Sequence, residues 1–321
     1  MAVSVTDYQV KRNYRGQVLV SPPGEEPMTG EWITSKDNKR YFKPDQKNVM
    51  PYGRTSSAGV NLKGGSDGLA NFKGAMAAIG TVMSKTVQAE IANLLNEYNG
   101  DPYYAGDDGG WRSGKRRLLD AVDKAAELAG SNSASARGTE FHKLGELINK
   151  GQTPHIVRDE LAAPLLTYSE AVADINFLHQ EILIVNDEIK RAGSIDYLME
   201  IPQGTIGPDG KRLAESWVVA GDLKTGKWDY QYPAGLTAQL AGYGKGQRYD
   251  QESNTRHALH DKLNSDWGVL VHFPLATKNP EVKFYWIDLN IGLRAAKLNN
   301  EVSDMMAFFQ SAKGKPVEFE L

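Results

Sequence analysis

The run Trp217-Val218-Val219-Ala220-Gly221-Asp222-Leu223-Lys224 decides the fold class. A mostly apolar stretch that ends on Asp222 and Lys224 reads as a buried strand with charged groups at its carboxyl end. Upstream, residues 181–189 (EILIVNDEI) and 195–201 (IDYLMEI) read as strands joined by a turn at Arg191-Ala192-Gly193. Gly207-Pro208-Asp209-Gly210 separates them from the first run, so the spacing predicts a three-stranded meander. On the amino-terminal side, residues 134–149 read as a helix, with Ser131-Asn132-Ser133 as its cap and Gly151 just past its end. On the other side residues 234–249 have helical spacing, strands at 268–273 and 283–289 follow, and 291–311 reads as a last amphipathic helix. Ile291, Leu298, Val302, Met305 and Phe309 lie along one side of it. From residue 134 the order is α, β, β, β, α, β, β, α, which predicts an α/β core with a mixed central sheet flanked by helices.

Before the core, residues 1–65 read as an irregular N-terminal arm and 66–130 as a helical extension, leaving 131–321 for the core. In the extension Leu69, Phe72, Met76, Ile79, Met83, Val87, Ile91 and Leu95 recur at helical spacing. Arg112, Lys115, Arg116 and Arg117 form the densest basic cluster, at the start of a helix over 118–129 that Gly130 stops. The cluster reads as a solvated helix start, and because cations there oppose the helix dipole, phosphate contact stands beside that reading.

Composition narrows the function. The chain has 321 residues, 37 basic and 40 acidic, with a formal net charge of -3, so any nucleic-acid surface must be a local patch. Zero cysteines remove thiolate zinc sites, cysteine-ligated clusters, disulfides and a cysteine nucleophile. A metal would have to sit on His, Asp and Glu. The first sixteen residues lack the apolar run of a signal peptide and no span is apolar enough for a membrane, so a cytoplasmic protein is expected.

The chemistry concentrates at the strand end. Asp222 and Lys224, two apart, point to one face, and Asp196 on the neighbouring strand brings a second carboxylate toward the first. Like charges that close call for a cation, and Mg²⁺ or Mn²⁺ on oxygen ligands is the usual answer. His142, on the preceding helix, adds an imidazole nitrogen that makes Mn²⁺ acceptable. Gln239 and Tyr243, at i and i+4, share a helix face. Singly, an Asp-x-Lys on a strand is also read as a surface ion pair and a lone helical His as structural. The ordered set outweighs those readings.

Gly138-Thr139-Glu140-Phe141-His142, Gly193-Ser194-Ile195-Asp196, Asp222-Leu223-Lys224-Thr225-Gly226 and Gln239-Leu240-Ala241-Gly242-Tyr243 together resemble the GxxxH, GxxD, DxK and QxxxY motifs of the RecB-like branch of the PD-(D/E)XK nuclease superfamily. The four stand in the same order, over residues 134 to about 250, and the layout before them is similar to that of bacteriophage members. The resemblance implies a restriction-endonuclease-like core and a metal-dependent DNA exonuclease acting at DNA ends in recombination or repair. His142, Asp196, Asp222 and the carbonyl of Leu223 would ligate Mg²⁺ or Mn²⁺, and Lys224 would position water and stabilise charge. Gln239 and Tyr243 would contact the phosphate backbone and buttress the site, with Arg112, Lys115, Arg116 and Arg117 guiding DNA. Glu146 and Glu181 are read equally as second-metal groups and as solvated acids. Implied partners are DNA ends and a single-strand annealing protein, recombinase or helicase, with a homo-oligomer left open; for a phage protein the compartment is the host cytoplasm. An iron–sulfur variant is excluded by the cysteine count.

Three other readings compete with this one. Residues 109–115 and 221–227 fit G-x4-G-K, but Arg116 and Trp228 stand where a P-loop needs Ser or Thr, so no ATP hydrolysis is expected. His257-Ala258-Leu259-His260-Asp261 suggests an HD-type phosphohydrolase without the flanking helices that class needs, and a solvated helix end is the simpler expectation. A nuclease fold kept as a non-catalytic DNA-binding scaffold is the alternative function.

Overall fold

The computed structural model describes residues 9–62, 67–110, 112–226 and 234–311. Leu69 as a side chain, Lys227 and Trp228 lie outside the described residues. Two compact units are present, one of residues 64–140 and one of 1–63 with 141–321.

The larger unit is a mixed α/β structure with a nine-stranded mixed sheet. Its early strands are β1 (Val18–Val20) and β4 (Met50–Arg54), with β2 (Gly30–Thr34) and β3 (Arg40–Pro44) forming a separate ribbon. The main strands are β5 (Asn176–Asn186), β6 (Arg191–Ile201) and β7 (Trp217–Lys224), then β8 (Gln247–Asp250), β9 (Thr255–His257), β10 (Trp267–His272) and β11 (Lys283–Asp288). The meander β5–β6–β7 is antiparallel as expected, β7 pairs with β10 in parallel, and β10 with β11 antiparallel.

Residues 9–62 differ from the expectation of an irregular arm. Strand β4 pairs with β6 in parallel, Gly53 opposite Arg191 and Arg54 opposite Ala192. The edge of β6 opposite β5 therefore holds β4 at its start and β7 from Tyr197 onward. Residues 193–196 lie between those two pairings, where strands β4 and β7 diverge.

Helices cover both faces of the sheet. In the chain α1 (Asp67–Met83), α2 (Lys85–Glu97) and α3 (Gly114–Leu128) come first, and α4 (Ser133–Asn149) and α5 (Asp159–Ala171) precede β5. Phe141, Leu144, Leu161, Leu165 and Tyr168 pack with Tyr197, Met199, Val219 and Leu223 in one core layer. The other layer joins Leu240, Ala241 and Tyr243 of α6 (Ala234–Gly244) and Leu289 of α7 (Leu289–Gln310) to Ile184, Leu198, Ala220 and Leu270. Each such side chain contributes roughly 1.5–3 kcal/mol when fully buried, so the sheet is held from both sides.

Other elements depart from the sequence expectation too: Arg191-Ala192-Gly193, expected as a turn, open β6, and the turn lies at 187–190. Helix α5 was not anticipated, the helix expected over 234–249 stops at Gly244, and residues 247–257 form the β8–β9 hairpin in place of a helix end at His257. On α7 the buried residues are Leu289, Gly292, Ala296 and Asn299, while Ile291, Leu298, Met305 and Phe309 are exposed. No helix among the described residues is long and apolar enough to cross a membrane.

Candidate active site

The site forms where β6 and β7 begin to pair. Asp196 lies on β6 just before its pairing with β7 begins, on the edge that neither β4 nor β7 covers, and its Oδ2 accepts the backbone N–H of Leu223 at 2.8 Å, tying the two strands together. Asp222 is almost wholly buried, at 1% exposure. Its Oδ1 accepts from Gln239 Nε2 at 2.9 Å, and its Oδ2 faces the Lys224 ammonium as an ion pair but has no hydrogen bond of its own. The alternation of β7 thus brings both charged groups to one side, as the spacing predicts.

His142 enters from α4 with Nδ1 3.7 Å from Asp196 Oδ2. Glu146 sits one turn further along α4. Pairing of Gln180 with Tyr197 and of Ile182 with Ile195 sets Glu181 opposite Asp196, with a left-handed backbone (φ 53°) that is unusual inside a strand. Five of the expected groups, Asp196, Asp222, Lys224, Gln239 and His142, therefore meet, and Glu181 borders them.

The electrostatics are those of crowded acids. Burial and then the Asp222 charge push the Asp196 carboxyl well above the usual range. Burial, Glu146 and Asp222 push Glu181 up to about 7, and burial raises Glu146. Burial disfavours the Lys224 ammonium, yet Asp222 and Asp196 together raise its pKa, so it stays charged. Burial lowers His142, leaving a neutral imidazole with a lone pair available for ligation.

The donor set of two carboxylates, one imidazole and a half-orphaned buried oxygen on Asp222 fits a hard divalent ion. Among the described residues no three His, Asp or Glu side chains already stand as a closed cage. Lys224 occupies the position in front of Asp222 Oδ2.

Gln239 and Tyr243 do share a face of α6, but both are buried, at 9% and 5% exposure, and they brace the site from behind. A Cβ on Gly193 would stand 3.1 Å from the Tyr243 hydroxyl and 3.4 Å from Thr55 Oγ1, which explains a glycine three residues before Asp196. The basic cluster belongs to the smaller unit. There Lys115 pairs with Asp107 at 2.7 Å, Arg116 with Asp120 at 3.1 Å and Arg117 with Glu97 at 2.8 Å, while Arg112 is exposed just before α3.

Sequence reasoning overlooked His272, whose strand places it beside Lys224 and whose Nε2 lies 2.9 Å from the Gly226 carbonyl oxygen. The signal was available: His272 ends a strand that runs parallel to β7. No protein-family model matches the chain, and no curated protein matches it.

Proposed function

We propose that the protein is a divalent-metal-dependent deoxyribonuclease with a PD-(D/E)XK, RecB-like core, acting as an exonuclease at DNA ends in recombination or repair. The observation that carries this reading is the meeting of Asp196, Asp222 and Lys224 at the β6–β7 divergence, with Gln239 fixing one oxygen of Asp222.

His142, Asp196, Asp222 and the Leu223 carbonyl would hold Mg²⁺ or Mn²⁺. When bound, such an ion polarises a phosphoryl oxygen and makes water a better nucleophile near neutral pH. The chain's own groups do the rest. Gln239 orients the Asp222 carboxylate, and the Leu223 N–H orients Asp196. The Lys224 ammonium, freed from Asp222, donates toward the negative charge that develops on the phosphoryl oxygens. Tyr243 braces Gly193 and so the strand that carries Asp196. DNA ends would be the substrate, with an annealing protein, recombinase or helicase as functional partner.

The ion pair of Lys224 with Asp222 favours one rival, a DNA-binding scaffold in which the pair is purely structural. A linear duplex labelled at either end and a closed circle, incubated with Mg²⁺, Mn²⁺ or EDTA and with wild type or Lys224→Ala, separates the two. Metal-dependent loss of the linear DNA alone, absent in the variant, is expected. No cleavage in either metal, with end binding intact, would leave the scaffold.

A further inference from the structure

Helix α7 is anchored along one side and bare along the other. Gly292 and Ala296 lie against α6, and Asn299 is wholly buried, its Oδ1 accepting the Asn61 backbone N–H at 2.8 Å. Asn61 Nδ2 donates to Ser303 Oγ at 2.8 Å, and there the anchoring ends, since residues 304–310 are exposed throughout. Ile291, Leu298, Met305, Met306, Phe308 and Phe309 are each between 48% and 64% exposed. Elsewhere among the described residues of the larger unit, exposed large apolar side chains are scattered singly, as Tyr14, Ile156 and Ile206 are. Single ones are ordinary, whereas six on one helix mark a contact surface. Two turns of helix without tertiary packing are also marginal in water, so the end of α7 calls for a cover.

The bare side has a repeat. Ile291, Leu298 and Met305 are seven residues apart, close to two helical turns, so they form one stripe turned away from Gly292, Ala296 and Asn299. Leu298 stands midway, about 10.5 Å along the axis from each of the others. Arg294 and Glu301, also seven apart and both exposed, run along one flank of the stripe.

That pattern is its own complement when α7 meets a second copy running the opposite way. A two-fold axis through Leu298 sets it on the partner's Leu298, and sets Ile291 on the partner's Met305. In an antiparallel pair equal flanks face each other, so Arg294 lies within one residue of level with the partner's Glu301. A parallel pair would instead set Arg294 on the partner's Arg294 and Glu301 on the partner's Glu301, like charge on like. The order of charges therefore selects the antiparallel pair. Half-exposed side chains of this size leave roughly 100 Å² each, so two copies would bury about 1,200 Å² in all, the lower end of what a specific interface needs.

We propose that the exposed face of α7 is a homodimer interface in which two copies of the chain pair antiparallel about Leu298. The proposal is independent of the nuclease reading, and its test uses no DNA.

The test is sedimentation equilibrium of the full chain at roughly 1–100 μM, where an interface of this size begins to hold. Wild type is expected at twice 35.3 kDa. Leu298→Asp, which sets two carboxylates face to face on the axis, is expected at the monomer mass with an unchanged far-ultraviolet circular dichroism spectrum. Arg294→Glu reverses both symmetry-related charge pairs and should weaken the dimer about tenfold, and adding Glu301→Arg should restore it. Because the chain has no cysteine, introduced thiols report the register. Oxidised Leu298→Cys should give a cross-linked dimer, as should Ile291→Cys combined with Met305→Cys. Ile291→Cys alone should not, since its two copies would stand about 21 Å apart and a disulfide needs Cα atoms within about 7 Å. A wild type still monomeric at about 100 μM overturns the interface. So does a dimer that Leu298→Asp leaves intact. Cross-linking by Ile291→Cys alone, or a charge reversal that Glu301→Arg fails to rescue, overturns the antiparallel pairing.

Discussion

Gln239 Nε2 donates to Asp222 Oδ1 at 2.9 Å, from a helix that follows the aspartate's strand. This bond serves one of two oxygens on a carboxylate that is 1% exposed, and the other oxygen has only the Lys224 charge. Gln239→Ala therefore strips a buried acceptor of its donor, at a cost of about 1.5–3 kcal/mol. Urea titration should show a lower midpoint with an unchanged slope. An unchanged midpoint would mean that Asp222 is served by another donor.

Asp187 and Arg256 set the acid limit of the fold. Burial alone would raise the Asp187 carboxyl, but hydrogen bonds from Arg256 and from the Tyr52 hydroxyl, the latter at 2.6 Å, hold it below the usual range. A depressed folded pKa contributes stability above the unfolded aspartate value, near 3.9, and that stability is lost as pH falls through the folded value. Asp187→Asn should cost about 2–3 kcal/mol at pH 7, because Arg256 is left buried without a counter-charge. At pH 3 or below the gap to wild type should shrink. Equal gaps at pH 7 and pH 3 would refute the linkage.

How far the sequence foretold this depends on what sets each element. Asp196, Asp222, Lys224 and Gln239 were legible because strand alternation and helix spacing are local rules. The contribution of residues 9–62 was not, since β1 has only three residues and β4 gains its place by pairing with β6 across the chain. Helix α5 was hidden by Pro164 inside it. On α7 the apolar periodicity pointed to the wrong face, because close approach to α6 needs small residues such as Gly292 and Ala296 rather than large ones.

Divalent metal should stabilise the fold if Asp196 and Asp222 ligate it. Binding to the native state alone raises stability by about 2.7 kcal/mol at one hundred times the dissociation constant. The melting temperature of wild type should thus rise with Mn²⁺. Because the raised pKa of Asp196 holds protons that a ligand must lose, the rise should grow as the pH is raised. Asp196→Asn should abolish it. An equal rise in the variant would place the ion elsewhere.

Gly292 tests the packing that holds Gln239 in place. A Cβ there would lie 2.3 Å from the Thr237 carbonyl oxygen and 2.7 Å from the Ala241 Cβ, both on α6. Backbone on one side and a core methyl on the other leave no flexible atom to yield, so Gly292→Ala must move α7 off α6. A loss of about 1–3 kcal/mol is expected, although alanine favours a helix over glycine by roughly 1 kcal/mol. Gly74 isolates that intrinsic gain: it lies in α1 with nothing within 4 Å of its added Cβ, and Gly74→Ala should stabilise by about 0.5–1 kcal/mol. Since α6 carries Gln239, Gly292→Ala should also depress any metal-dependent cleavage, whereas Gly74→Ala should not. Opposite signs in paired urea titrations are the expected result, and stabilisation by both substitutions would show that α6 and α7 do not approach this closely.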